Sequence, residues 1–296
     1  MKHRVRTFRA VLGIALAAIA LDVASHPALA ETTKERILRE GKIVVGVHNR
    51  VPWGYRDEAT GEATGWHPDL LKAAFSELGV KEIDIKVTEF GALIPGLLAG
   101  RFDAVASGLS ITPERCEQVA FSKPDLKELD AALVRPGNPK KIHGYQDILE
   151  NADVTMGAGR GSVVVRKALA AGIPNDRMLL FPDIQSNIAA LRAGRVDAVL
   201  LSLPTVLGLL KDGSARDVEK AEPFVTGDDE ATYTAVAFRK EDEDLRALYD
   251  KQFTALQQEG TVATIMAKYG FGKDATPSDA ITTEGLCNAS QAGSAK

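Results

Sequence analysis

The chain has 296 residues, a formal net charge of −4, 45% hydrophobic and 26% charged residues. That length exceeds a typical single domain, so one large or two medium domains with ordinary packed cores are expected. Mild acidity, with no basic stripe interleaved with aromatics, excludes a nucleic-acid-binding footprint.

The first thirty residues are expected to be a signal peptide and no part of the fold. MKHRVRTFR is a basic start, Ala10–Leu21 an apolar core too short to span a bilayer, and His26–Ala30 a small-residue cleavage site. Cleavage near Ala30 would release an exported, periplasmic protein. Beyond it, Lys42–His48 is a β-branched strand running into the polar turn 49–62, with a helix over Pro68–Leu78 and a strand over Lys81–Thr88. A helix over Phe90–Ala99, a strand over Asp103–Ala106 and a short helix over Thr112–Gln118 follow. Ala131–Val134 is extended and enters the Pro/Gly linker RPGNPKK. A second run has a strand over Val154–Ala158 and helices over Val163–Ala171 and Thr205–Leu210. Strand Thr234–Phe238 and an amphipathic helix over Leu245–Gly260 close the chain.

One phrase is written twice, AGRFDAV at Ala99–Val105 and AGRVDAV at Ala193–Val199. Each copy reads as an apolar-faced helix stopped by Gly100 or Gly194, then an aspartate opening a buried strand. Coincidence between two αβ units is the plain reading; two similar lobes sharing a cleft is the sharper one. The boundary zones near Arg135–Gly137 and Tyr233–Ala235 then make a hinge. Lobe 1 comprises residues 31–135 and 234–296, and lobe 2 residues 136–233. Alternating strands and helices predict largely parallel sheets, with a ligand outside the carboxyl ends of the strands.

The two cysteines, Cys116 and Cys287, pair most simply as a disulfide in an oxidising compartment, with two separate thiols as the alternative. Neither belongs to a metal-binding spacing, and no Walker loop, GxGxxG or GxSxG occurs, so neither a cofactor nor a metal is expected.

The stretches GVHNRVPWGY, TEFGALIPGLLAGRFDAVASGLSITPERCEQVAFSKP, AGRGS, AGRVDAVLLS and IMAKYGFG resemble the family 3 periplasmic solute-binding proteins of ABC importers. Within that family the ITPERC cysteine, AFRKEDEDLR and the late Leu-Cys are most similar to ectoine/hydroxyectoine-binding proteins. The resemblance implies a two-lobed, type II α/β Venus-flytrap fold, a monomer that binds a small solute and delivers it to a membrane permease.

Arg115, whose planar fork suits a carboxylate, is then the expected anion clamp, with Gly108 and Ser110 beside it. A solvated surface arginine is the plain alternative. Ser162, at a predicted helix start, would add an anion contact or serve only as a cap. Trp53 and Phe90 match aromatic positions that wall the family's pocket; Phe90 could equally be core, whereas Trp53 in a turn has less reason to be buried. Two positions depart from the amino-acid binders. Where acids usually hold a ligand ammonium, this chain has Arg50 and Ser202. An unpaired buried ammonium is costly, so another acid must reach the cleft, with Asp228–Glu230 as candidates, or the solute is a ring with delocalised charge such as ectoine. Ser202 suits such a ring and Arg50 does not, since the resemblance implies an acid there in ectoine binders. Arg50 with Arg115 also leaves an opine or dicarboxylate open. The alternative function is an exported enzyme on this scaffold, such as a cyclohexadienyl dehydratase, which needs a cleft acid poised for proton transfer.

Overall fold

The computed structural model describes residues 31–57, 59–225 and 231–289. The predicted signal peptide and the candidate acids Asp228–Glu230 lie outside the described residues. The strands are β1 (Lys42–Val47), β2 (Tyr55–Arg56), β3 (Ala63–Thr64), β4 (Glu82–Val87), β5 (Ala104–Ser110), β6 (Ala120–Phe121) and β7 (Leu126–Glu128). They continue with β8 (Asp130–Val134), β9 (Met156–Gly159), β10 (Met178–Phe181), β11 (Ala198–Ser202), β12 (Glu219–Lys220) and β13 (Thr232–Phe238).

Two large sheets result, beside a small one in which β2 and β3 pair antiparallel. The first runs β4-β1-β5-β13-β6, with β7 also on β13, and the second β10-β9-β11-β8-β12. Each has a parallel half, as the αβ alternation predicts: β4-β1-β5 in one and β10-β9-β11 in the other. The other half is antiparallel, which corrects the expectation of largely parallel sheets. The reason is connectivity. β8 follows β7 directly from the other sheet, without the helical crossover that a parallel neighbour requires, and β13 likewise returns from the other sheet, after β12. The strand Asp130–Val134 thus pairs in the second sheet, and the chain changes sheet at Leu129, ahead of the expected boundary at 135. It re-enters the first sheet at Thr232.

Both sheets are covered on both faces, so their inner strands are apolar throughout. Along β5, Ala104 and Ala106 join the core beneath the helices Trp66–Ser76 and Glu243–Gln258, while Val105 and Leu109 join the opposite core with Leu93, Phe102 and Phe121. In the second sheet Ala198 and Leu200 face one core, and Val199 and Leu201 the other.

The repeated phrase builds one joint twice. Gly100 and Gly194 both take φ +67, in the left-handed region that glycine enters freely, and end the helices Leu93–Leu98 and Ile184–Arg192. The next residue turns back in each copy, Arg101 N–H donating to Gly96 O (3.0 Å) and Arg195 N–H to Ala190 O (2.9 Å). The aspartates then lock the neighbouring strand. Asp103 accepts from Val44 N–H (2.9 Å) while its own N–H donates to Val44 O (2.8 Å); Asp197 accepts from Thr155 N–H (3.1 Å) and donates to Thr155 O (2.7 Å). An arginine following each antiparallel strand completes the joint. Arg239 donates to Phe102 O (2.8 Å) and Arg135 to Val196 O (3.0 Å).

Cys116 and Cys287 are joined, their Cα atoms 5.7 Å apart. The bridge ties the carboxyl-terminal helix Thr283–Cys287 to the short helix Pro113–Cys116 across a separation of 171 residues, worth about 5 kcal/mol on the loop-entropy model. Among the described residues no helix is long and apolar enough to cross a membrane.

Candidate functional site

Ser110 ends β5 and Ser202 ends β11, the strands that follow the two copies of the phrase, and both line one cavity between the two sheets. The cavity measures about 560 Å³ including its open mouth. From the first sheet's side come His48, Arg50, Phe90 and Gly108; Ser162 comes from the second. Six of the expected ligand residues are therefore brought together: Arg50, Phe90, Gly108, Ser110, Ser162 and Ser202.

Local structure explains each placement. Gly108 has φ +66, and a Cβ there would lie 2.5 Å from the Trp53 ring, so the strand end can approach the cavity only without a side chain. Its N–H donates to His67 Nδ1 (3.1 Å). Ser162 precedes the helix Val163–Ala170 in extended conformation, but its hydroxyl makes no capping bond and is buried without a hydrogen-bond partner among the described residues. Arg50 is fixed by a bridge to Gly54 and lies over two aromatic rings, 5.4 Å from the Phe90 centroid and 5.7 Å from that of Trp53. Burial lowers its pKa to about 10, with Glu128 pulling the other way. Burial, aided by the Arg50 charge, also lowers the His48 pKa, favouring the neutral imidazole that meets Thr88 O at 3.1 Å.

Trp53 and Arg115 are placed differently from expectation. Trp53 is fully buried and outside the cavity lining, stacked on His67, with Nε1–H donating to Thr205 Oγ1 (2.9 Å) in the second lobe's helix Leu203–Lys211. A turn residue is buried here because the turn is itself folded under that helix. Arg115 sits in a first helical turn, as predicted, with Thr112 capping and Pro113 at the first position. Its guanidinium, however, donates to Ser110 O (2.7 Å) and to Gly161 O (3.0 Å). It bridges the two sheets, next to the cavity rather than lining it, 5.7 Å from the Phe90 centroid.

The sequence reading missed the acids. Glu128 and Asp130 both line the cavity, so the cleft does contain carboxyl groups although Arg50 and Ser202 occupy the usual positions. Asp130 receives Lys167 Nζ (2.7 Å) and Tyr145 Oη (2.8 Å). Glu128 is only 6% exposed. Its Oε1 accepts from Ser110 Oγ (3.1 Å) and Thr232 Oγ1 (3.2 Å), while Oε2 is buried without a hydrogen-bond partner among the described residues. Burial raises its pKa; Arg50 and, more weakly, the Ser110 and Ser202 hydroxyls oppose that shift, and Asp130 adds to it. The available signal was two acids at alternate positions, Glu128 and Asp130, in the run LKELDAALV, which apart from them and Lys127 is apolar.

Residues 43–273 match the bacterial extracellular solute-binding proteins, family 3. The chain belongs to this family. It is 32% identical over 265 residues to a probable amino-acid ABC transporter periplasmic-binding protein, y4tE, of Sinorhizobium fredii, covering 87% of each chain. It is 25% identical to the L-cystine-binding protein TcyJ of Escherichia coli, covering 90% of this chain and 97% of the relative. Among solved structures, EhuB in complex with hydroxyectoine aligns with a TM-score of 0.79 and 34% identity, over 87% of this chain and 98% of EhuB. The ancestral amino acid-binding protein AncCDT-1, a precursor of cyclohexadienyl dehydratase, aligns with a TM-score of 0.70 and 27% identity, over 80% of this chain and 99% of that one. The fold is thus the two-lobed, type II α/β Venus-flytrap fold, and the protein is a solute-binding component of an ABC importer.

Proposed function

We propose that this chain is the exported, periplasmic receptor of an importer for ectoine, hydroxyectoine or a polar amino acid, acting as a monomer and without catalysis. Its amino-terminal thirty residues serve as the signal peptide. The solute sits between two lobes, the first built on β1–β7 and β13, the second on β8–β12, and is handed to a membrane permease. The observation that carries this reading is the meeting of Ser110 and Ser202, equivalent strand ends of different sheets, at one cavity with Arg50. The likeness to EhuB bound to hydroxyectoine supports the solute class. Arg50 is assigned the solute carboxylate because its buried Nε has no hydrogen-bond partner among the described residues, and the Ser162 hydroxyl, in the same condition, offers a second polar group. Arg115 contributes beside them by holding the walls together.

A thermal-shift screen of ectoines, amino acids, opines and dicarboxylates tests this. A true solute at a hundred times its Kd adds about 2.7 kcal/mol of stability. A folded protein that no member of the panel stabilises would refute the reading.

A dehydratase on this scaffold gains support from one feature, the buried carboxyl of Glu128 in the cavity, since proton transfer needs such a group. Incubation with prephenate or arogenate separates the two. Turnover to an aromatic product would establish an enzyme, and none is expected.

A further inference from the structure

We propose that Glu128 holds the cationic pole of the solute and makes the cavity select zwitterions over dianions, an assignment that rests on the solute-receptor reading above. Glu128 is the last residue of β7, immediately before the chain changes sheet at Leu129, so its side chain stands where the two walls converge. The Ser110 and Thr232 hydroxyls hold one carboxylate oxygen, which fixes the group's direction. The other oxygen is buried at the same cavity with no hydrogen-bond partner among the described residues. A carboxylate oxygen left in this way favours an incoming donor, above all a charged one.

Arg50 supplies the opposite demand. Its Nε–H is buried without a partner among the described residues, and Nη2 reaches only Ser107 O at 3.5 Å. No ion pair joins Arg50 to Glu128 among the described residues, so each charge still seeks a counter-charge. Asp130 is already ion-paired, its Oδ2 receiving both Lys167 Nζ and Tyr145 Oη, so its charge is compensated within the protein. A third lining acid, Asp183, has both oxygens engaged by Ser186 at the start of its own helix. Glu128 and Arg50 therefore remain as the acid and base that complement a solute carrying both a carboxylate and a cation. A dianion would satisfy Arg50 and be repelled by Glu128. The raised pKa of Glu128 agrees, since a bound cation would draw the carboxyl back to its ionised form.

The test is titration calorimetry of wild type and Glu128→Gln with hydroxyectoine and L-glutamine as zwitterions and succinate as dianion. Wild type should bind at least one zwitterion and bind succinate much more weakly. Glu128→Gln should lose tenfold or more in zwitterion affinity and gain affinity for succinate. Its melting temperature without solute should equal or exceed that of wild type, which shows that the variant folds. Glu128→Asp, which keeps the charge but withdraws it by one methylene, should fall between the two. Unchanged zwitterion affinity in Glu128→Gln, or a wild type that prefers succinate, would overturn this assignment while leaving the receptor reading intact. Binding of none of the three probes by wild type would overturn the assignment too. The receptor reading would then fall separately, only if the wider panel also fails.

Discussion

The joint made by Gly100–Asp103 and the one made by Gly194–Asp197 share a backbone and differ in what fills them. In the first sheet Phe102 occupies the core, and glycines clear its space: a Cβ at Gly46 would lie 2.5 Å from its ring, and one at Gly96 2.6 Å. In the second sheet the position is Val196, the strand neighbour is still glycine, Gly157, but the helix residue is Ala190. A Cβ at Gly157 would lie 3.3 Å from Val196 and closer still to Asn187 Oδ1, so the smaller side chain asks for little clearing and that glycine makes room chiefly for Asn187. The polar halves differ as well. Asp103 and Arg239 have side-chain exposures of 9% and 11%, with Arg36 and Asp242 added to the cluster, whereas Asp197 and Arg135 form a simple pair at 13% and 29%. Equivalent backbone geometry therefore specifies the motif, and the volumes around it co-vary lobe by lobe.

The largest expected effect is on the aromatic filler. Phe102→Ala should cost about 4 kcal/mol, and Val196→Ala about 2 kcal/mol, measured by urea unfolding. Equal costs would show that the two joints are packed alike after all. Next come the aspartates. Asp103→Ala removes the partner of a buried arginine cluster and of Val44 N–H, and should cost about 3 kcal/mol; Asp197→Ala, whose arginine reaches solvent, should cost about 2 kcal/mol. A larger loss at Asp197 would reverse the burial ranking. The smallest effect is the sharpest. Val196→Phe should cost about 1–2 kcal/mol by overpacking against Ala190, and Ala190→Gly in the same chain should restore part of it, less the roughly 1 kcal/mol that glycine costs in a helix. If Ala190→Gly only adds to the damage, the exchange of volumes is not what distinguishes the lobes.

A fourth expectation concerns the strands that cross between sheets. Burial raises the Glu128 pKa in the folded protein, so the folded state holds that proton more tightly than the unfolded chain. Its contribution to stability is present at acid pH and is lost as pH rises from the ordinary glutamate range through the raised value. The unfolding midpoint of Glu128→Gln relative to wild type should thus climb across that window and then level off. A flat difference would mean that the carboxyl titrates normally.

Much of this was legible in the chain. The glycine stop and opening aspartate announced the joints, and ITPER announced a capped turn with its arginine. What stayed hidden depends on distant partners. Trp53 was misjudged because nothing in NRVPWGY says that a helix 150 residues later folds over it. Glu128 was overlooked because its isolation from solvent is created only when Ser110 and Thr232 converge on it. Arg115 was rightly placed on its helix, yet one of its carbonyl partners, Ser110, ends β5 in the first sheet and the other, Gly161, lies in the turn after β9 of the second.

The bond from Trp53 to Thr205 gives the protein an optical gauge of its own. The chain contains two tryptophans, and the other, Trp66, is wholly buried within the first lobe's core. Parting the walls must break the indole's hydrogen bond to Thr205 and admit water to the ring, while Trp66 keeps its surroundings. Emission would then shift to the red on opening and return to the blue when a solute draws the walls together. Trp53 and Thr205 thereby make the conformational equilibrium readable without any attached dye.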